Sequence, residues 1–152
     1  MEAAQLAEAF HTNVISAQMV TSAMLPALRR STEKKIVMMS TTLGSLALAE
    51  KFRAGRAYPY KITKAAMNML MVQYAFDLEK EGFTVIGTSP GWLKTDLGSQ
   101  YADLDVSVGV EATLKNILGA TTKDNGRFLN IHVPGWEKAE GANQYAGGDA
   151  PW

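Results

Sequence analysis

The sequence predicts an α/β fold, a parallel sheet of three short strands with helices on both faces. Two observations predict it. Short continuous apolar runs within Ile36–Met39, Phe83–Thr88 and Arg127–His132 alternate with longer segments of helical apolar period. Such runs suit strands buried on both faces, and intervening helices imply right-handed crossovers and parallel pairing. The first two runs also lead directly into small hydroxyl and glycine residues, Ser40-Thr41-Thr42 and Ser89-Pro90-Gly91. Open α/β sheets place their ligands at the carboxyl ends of strands.

Composition sets bounds on this reading. The 152 residues suffice for one domain with a core, and 47% hydrophobic with 20% charged residues is globular usage. Lys+Arg and Asp+Glu are equal at 15 each, which argues against nucleic acid or an acidic membrane surface as a partner. The chain has no cysteine, so neither disulfides nor thiolate chemistry is available, and two histidines are too few for a His-rich metal site. No apolar run approaches the roughly 18 residues of a membrane span. Met1-Glu2-Ala3-Ala4-Gln5 has neither a basic region nor an apolar core. A soluble, cytoplasmic protein is expected.

The elements follow in order. A long helix is expected from residue 3 to about 29, with Leu6, Phe10, Val14, Ala17, Thr21, Met24, Leu25 and Leu28 at helical spacing. Pro26 should kink or tighten its last turns. The strand Ile36–Met39 is apolar throughout, which is wrong for a free sheet edge, so neighbouring strands are expected to be missing from this chain. Residues 45–57 form a connector. The second helix runs from Pro59 or Tyr60 to Glu81, since Pro suits a helix start and Gly82 a helix end. Its apolar stripe is read as Ile62, Ala66, Met69, Leu70, Gln73, Phe76 and Leu78, with Met67, Met69 and Met71 as core or interface filler. The strand 84–88 and an irregular stretch, Leu97–Leu104, come next. Asp105 or Ser107 caps a third helix to about Leu118, with Val110, Leu114, Ile117 and Leu118 inward. Lys123-Asp124-Asn125-Gly126 is a turn into the strand 127–131, and a Gly-rich polar tail begins at Val133.

Four stretches carry candidate chemistry. Tyr60 and Lys64 are spaced to share one helical face, where an ammonium can stabilise a phenolate and tune a tyrosine for proton transfer. The same spacing also fits a solvated lysine beside an ordinary helix-start tyrosine. Asn13 lies mid-helix, where Asn is a poor former, and fits a wet face as well as a functional position. Ser40 and Thr41 present hydroxyls at a strand end. Pro90-Gly91 forces a turn and allows close backbone approach, with or without a ligand.

Taken together, these stretches resemble the short-chain dehydrogenases/reductases, and within them the C-factor-like carbonyl reductases. Phe10-His11-Thr12-Asn13-Val14 is similar to the Asn-containing motif on the helix before the catalytic strand. Met39-Ser40-Thr41-Thr42-Leu43-Gly44-Ser45 is similar to the catalytic-serine motif, and Tyr60-Lys61-Ile62-Thr63-Lys64 to the Tyr-x-x-x-Lys motif. Ser89-Pro90-Gly91-Trp92-Leu93-Lys94-Thr95-Asp96 is similar to the nicotinamide-side loop, its Trp typical of the C-factor-like branch.

The resemblance implies the C-terminal part of a Rossmann-type doubly wound parallel sheet, with residues 1–152 as one truncated domain. It implies hydride transfer between NADP or NAD, NADP favoured, and a small carbonyl or alcohol substrate. Tyr60 would be the general acid/base, and Lys64 would lower its pKa and hold the nicotinamide ribose. Ser40 or Thr41 would bond the reacting oxygen, and Asn13 would hold a proton-relay water. Pro90, Gly91, Leu93 and Thr95 would line the nicotinamide end.

Two departures stand out. Counted back from Gly44, the family's serine falls on Thr41, with Ser40 beside it. No G-x-G-x-x-G occurs in these 152 residues, and that turn is what cradles a dinucleotide's pyrophosphate. The expectation is therefore a catalytic half that is inactive alone, with a homo-oligomer through the long helices as a candidate assembly. The alternative is a non-catalytic piece that binds a full-length relative through its dimerisation helices.

Overall fold

The computed structural model describes residues 1–152. Helix α1 (Ala3–Phe10) passes through a π-helical turn (His11–Ile15) into α2 (Ser16–Arg29). Strand β1 (Lys35–Met39), a 3₁₀ turn (Thr42–Gly44), helix α3 (Tyr58–Leu78), strand β2 (Thr84–Ser89), helix α4 (Val106–Gly119) and strand β3 (Phe128–Asn130) follow. The sheet order is β1-β2-β3 and both pairings are parallel, with Met39 opposite Thr88 and Ser89 opposite Asn130. This is the α/β architecture that the alternation of apolar runs predicts. No helix is long and apolar enough to cross a membrane.

Strand alternation assigns the two faces of the sheet. Ile36, Met38 and Val85 pack against Met67, Met71, Ala75 and Leu78 of α3, with Ala17, Leu25 and Leu28 of α2 closing that cluster. On the other face Ile86 and Leu129 pack with Ala120 and the partly buried Val37. There Asn116 of α4 donates to the carbonyl of Asn130 at 3.0 Å. Gly82 ends the α3 segment in the left-handed conformation, as a helix-terminating glycine should.

Several expectations are corrected. The first helix is not one regular α-helix, because Ser16 N–H reaches back five residues to the His11 carbonyl, widening the turn around Asn13. The chain stays helical through Pro26 to Arg29, and its end is tightened as expected, with Arg30 N–H to the Ala27 carbonyl at 3.1 Å and Ser31 N–H to the Leu28 carbonyl at 3.0 Å. In α3 the buried face is Thr63, Met67, Asn68, Met71, Ala75 and Leu78, whereas Ile62, Met69 and Phe76 are exposed. A helix apolar on several sides leaves the choice of face to its neighbours.

In α4 the buried residues are Gly109, Ala112 and Thr113, whereas Val110, Leu114 and Leu118 are exposed. The cause lies outside the helix. A side chain at Gly109 would put its Cβ 2.2 Å from the Leu93 side chain and 2.9 Å from the Pro90 carbonyl oxygen. Only the small-residue face of α4 can approach the loop after β2.

Strand β1 is an edge of the sheet. The side chains of Ile36 and Met38 are buried, and only Met39 is substantially exposed. What stays open is backbone. Thr84 N–H bonds the Lys34 carbonyl and Ser40 N–H bonds the Thr88 carbonyl. In a parallel ladder this turns the N–H and C=O of Lys35, Val37 and Met39 away from β2. The edge of β3 is covered by the tail, through antiparallel bridges Leu129–Asp149 and His132–Ala146. The tail is thus a built part of the sheet edge rather than a loose polar end.

Candidate active site

Helix α3 opens at Tyr58 with Pro59 in its first turn, where a fixed φ and a missing N–H cost nothing. Tyr60 and Lys64 therefore stand on one face at the helix start. The Lys64 ammonium lies 5.6 Å from the Tyr60 ring centroid and donates to the Met39 carbonyl oxygen at 2.7 Å. Burial pushes the Tyr60 hydroxyl above the ordinary tyrosine value and pulls the Lys64 ammonium below the ordinary lysine value. The depression of Tyr60 expected from Lys64 is not found in this arrangement. Desolvation dominates, and the ammonium is directed to the strand-edge carbonyl.

The strand end separates the two candidate hydroxyls. Ser40 is buried and donates to the side-chain Oδ1 of Asn68 in α3. Thr41 is partly exposed, and its oxygen accepts from the Leu43 N–H at 3.2 Å, leaving its own proton uncommitted. The turn sits tight against α3 because residue 44 is glycine. A Cβ there would lie 2.9 Å from both the main-chain carbon and the Cβ of Lys64.

Asn13 reaches the same helix start by another route. Its side-chain amide donates to Thr63 Oγ1 at 2.9 Å, and Thr63 Oγ1 donates to the Tyr60 carbonyl at 3.0 Å. Thr63 is fully buried. The widened turn at His11–Ile15 thus ties the first helical segment to the turn of α3 that carries Tyr60.

The loop after β2 is built as a strap. Gly91 takes φ +85, and a Cβ there would meet Ile131, Leu104 and Tyr145 at 3.0–3.2 Å, so glycine is required twice over. Leu93 bridges Leu104 in the parallel sense, with Leu104 N–H to the Trp92 carbonyl at 3.1 Å and Lys94 N–H to the Leu104 carbonyl at 2.9 Å. Thr95 Oγ1 accepts from Gly98 N–H at 3.0 Å.

Sequence reasoning missed the residues that hold these parts. Asn68 secures Ser40, Thr63 links Asn13 to Tyr60, and Tyr145 accepts from Trp92 N–H at 3.0 Å. Only Thr63 and Asn68 carried a signal, as buried polar positions in an apolar helix.

Comparisons with known proteins identify the family. The family model described as short chain dehydrogenase matches residues 1–104. C-signal of Myxococcus xanthus is 34% identical over 149 residues, covering 98% of this chain and 80% of that protein. The chain belongs to the short-chain dehydrogenase/reductase family. The likeness to C-signal is the one expected of the C-factor-like branch.

Among solved structures, NADPH-bound carbonyl reductase from chicken fatty liver matches at TM-score 0.79 and 29% identity, over 86% of this chain and 56% of that one. Carbonyl reductase Sniffer of D. melanogaster matches at TM-score 0.82 and 26% identity, over all of this chain and 59% of that one. The chain also spans about half the length of other curated relatives, such as 52% of short-chain dehydrogenase srdF of Neurospora crassa.

A nicotinamide cofactor is implied by this family, and the residues present fit one end of it. The bridge to Leu104 turns the N–H and C=O of Leu93 away from that residue, and the Leu93 N–H has no partner within the chain. The Leu93 carbonyl accepts from the Thr95 hydroxyl at 3.4 Å and packs against Gly98; the free N–H, with the Tyr60, Lys64 and Thr41 side chains, suits a carboxamide oxygen, a ribose and a reacting oxygen. For a pyrophosphate these residues supply no glycine-rich turn.

Proposed function

We propose that this chain carries the catalytic half of an NAD(P)-dependent carbonyl reductase, with NADP(H) favoured and a small carbonyl or alcohol as substrate. The observation that carries the proposal is the Lys64 ammonium, 5.6 Å from the Tyr60 ring and bonded to the Met39 carbonyl at the carboxyl end of β1, two residues before Thr41 with its uncommitted hydroxyl proton. A bound nicotinamide supplies the hydride. Tyr60 donates its proton to the carbonyl oxygen as that oxygen becomes a hydroxyl, and Thr41 donates a hydrogen bond to the same oxygen. Ser40, committed to Asn68, holds the strand end in place.

Lys64 binds ribose hydroxyls once it leaves the Met39 carbonyl. Burial keeps Tyr60 protonated at neutral pH, which is the state that reduction requires of an acid. Asn13, through Thr63, braces the turn that carries Tyr60. Leu93 offers its main-chain N–H to the carboxamide oxygen, while Pro90, Gly91 and Thr95 shape the loop around it, Thr95 by donating to the Leu93 carbonyl.

Residues 1–152 bind the whole dinucleotide weakly in this proposal, since most anchoring comes from the pyrophosphate and the adenosine ribose. Loss of several charge-assisted hydrogen bonds, at roughly 1.5–3 kcal/mol each, lowers affinity by orders of magnitude. The test is calorimetric titration of NADPH and NADH, beside a reductase assay on an activated carbonyl. Both are run on the chain alone and on the chain joined to an N-terminal βαβαβ segment of a relative. Tyr60-dependent turnover in the joined protein is expected. Its absence would refute the catalytic reading, and micromolar NADPH binding by the chain alone would refute the half-site reading.

One observation favours a second reading. The outward edge of β1 is unpaired, and Met19, Val20, Met24, Met69 and Phe76 expose apolar surface on α2 and α3. A non-catalytic role, binding a second copy or a full-length relative through these helices, uses those features directly.

A further inference from the structure

The tail carries a buried polar cluster that neither the sequence motifs nor the catalytic constellation uses. Tyr145 is almost fully buried, with its ring 5.5 Å from that of Trp136. Its hydroxyl accepts from Trp92 N–H at 3.0 Å and donates to Asp103 Oδ2 at 2.6 Å. The same Asp103 oxygen accepts from the Asn143 side-chain amide at 2.7 Å. One phenol thus joins three segments, namely the turn after β2, the strand-like Leu104 segment and the tail.

The geometry of the turn makes this join consequential. Trp92 N–H goes to Tyr145, the Trp92 carbonyl takes Leu104 N–H, and Lys94 N–H goes to the Leu104 carbonyl. Three backbone groups flanking Leu93 are therefore committed to Tyr145 and Leu104. In an extended segment alternate residues point opposite ways, so this commitment is what turns the N–H and C=O of Leu93 away from Leu104; the carbonyl takes the Thr95 hydroxyl at 3.4 Å, and the N–H is left free. Gly91, in the left-handed region against Tyr145 Cε1, is the point about which the turn would rotate if the phenol let go.

We infer that Tyr145, held by Asp103, is a positioning residue that presents the Leu93 main-chain N–H to the carboxamide oxygen of a nicotinamide ligand. The inference rests on the reductase reading and adds a residue that acts through the backbone rather than by touching the ligand. Its effect falls on ligand binding at the Leu93 end and leaves proton transfer at Tyr60 alone. The tail is then part of the binding site's framework, although every residue in it lies more than thirty positions beyond Leu93.

The test uses the whole ¹⁵N-labelled chain and reduced nicotinamide mononucleotide, a probe that lacks the adenosine half. Three variants are compared with the unaltered protein: Tyr145→Phe, Asp103→Ala and Asp103→Asn. In the unaltered chain the Leu93 amide signal shifts saturably on titration. Tyr145→Phe keeps the buried ring but loses both hydroxyl bonds. It should speed Trp92 amide exchange and weaken the probe's binding by roughly three- to tenfold, the range of one net hydrogen bond.

Asp103→Ala should move both readouts the same way. Asp103→Asn retains an acceptor oxygen and should restore both towards the unaltered values. A merely structural Tyr145 would lower the unfolding midpoint in Tyr145→Phe while the Leu93 response and the probe affinity stayed unchanged. That result overturns the inference and leaves the reductase reading standing. No saturable response at any amide of the unaltered chain also overturns the inference, and turnover of the joined protein then decides the reductase reading separately.

Discussion

The Lys64 ammonium and the Met39 carbonyl oxygen are joined at 2.7 Å, and that carbonyl belongs to the unpaired edge of β1. One side chain of the candidate site is therefore directed to a strand edge while its ring neighbour, Tyr60, sits in a desolvated position. Lys64→Met removes the cation 5.6 Å from the Tyr60 ring, so Tyr60 should ionise at still higher pH. Absorbance at 295 nm during alkaline titration reads this directly. An unchanged or lower Tyr60 titration would mean that the ammonium exerts no field on the phenol.

Alkaline stability should depend on the same two groups, with opposite signs. The Tyr60 value in the folded chain lies above the ordinary 10.0, so the folded state holds that proton more tightly. Its contribution is complete below pH 10 and is lost as pH rises through the raised value. Lys64 lies below the ordinary 10.5, so its contribution is complete above 10.5 and is lost as pH falls through the lowered value. Tyr60→Phe should flatten the fall of stability above about pH 10. Urea unfolding at stepped pH checks it, and an equally steep fall in the variant would contradict it.

Gly44→Ala should destabilise the chain by about 1–3 kcal/mol, the usual cost of overpacking. The added methyl meets the Lys64 backbone at 2.9 Å, and a helix backbone cannot rotate aside as a flexible side chain can. The same substitution should reduce turnover in the joined protein, since it pushes Thr41 away from Tyr60. Denaturant midpoints and initial rates measure the two effects.

The two hydroxyls at the end of β1 should separate cleanly by substitution. Ser40→Ala leaves the Asn68 side-chain Oδ1 buried without its donor and should cost about 1–3 kcal/mol of stability. Because the two side chains share one bond, Ser40→Ala with Asn68→Leu should cost less than the sum of the single changes. Thr41→Val removes the acceptor for the Leu43 N–H and should cost about 0.5–2 kcal/mol of stability, but should lower turnover of the joined protein about a hundredfold, as loss of a donor to a reacting oxygen does. Equal losses of turnover from Ser40→Ala and Thr41→Val would undo the assignment.

Self-association through the long helices is expected from exposed Met24 and Phe76. Light scattering of the chain should report a mass above that of one copy. Phe76→Lys should reduce it, with little change in folding because the residue is on the solvent side of α3. A monomer in both forms would remove this surface from consideration.

The order of elements was legible in the sequence because it depends on local pattern. Continuous apolar runs can be buried only as central strands or within a core, and the helices between them force parallel crossovers. The four motifs were likewise legible, since Tyr60 and Lys64, or Ser40 and Thr41, are close in sequence and share an element. What the tertiary structure decided are relations between distant segments. Helix α4 turned its small-residue face inward because the Leu93 side chain and Pro90 carbonyl occupy the space beside Gly109. Val110 and Leu114 had the stronger apolar signal but no room on that side.

The same applies to the electrostatics of the site. Spacing predicts that Lys64 faces Tyr60, but the balance between attraction and desolvation depends on what else surrounds them. Here burial and the Met39 carbonyl prevail. Asn13 meets Thr63 fifty residues away, and Tyr145 meets Trp92 at a separation of 53. Local propensity and period carry no information about such pairs, because they are fixed by how the layers stack and by which buried polar groups must find a partner.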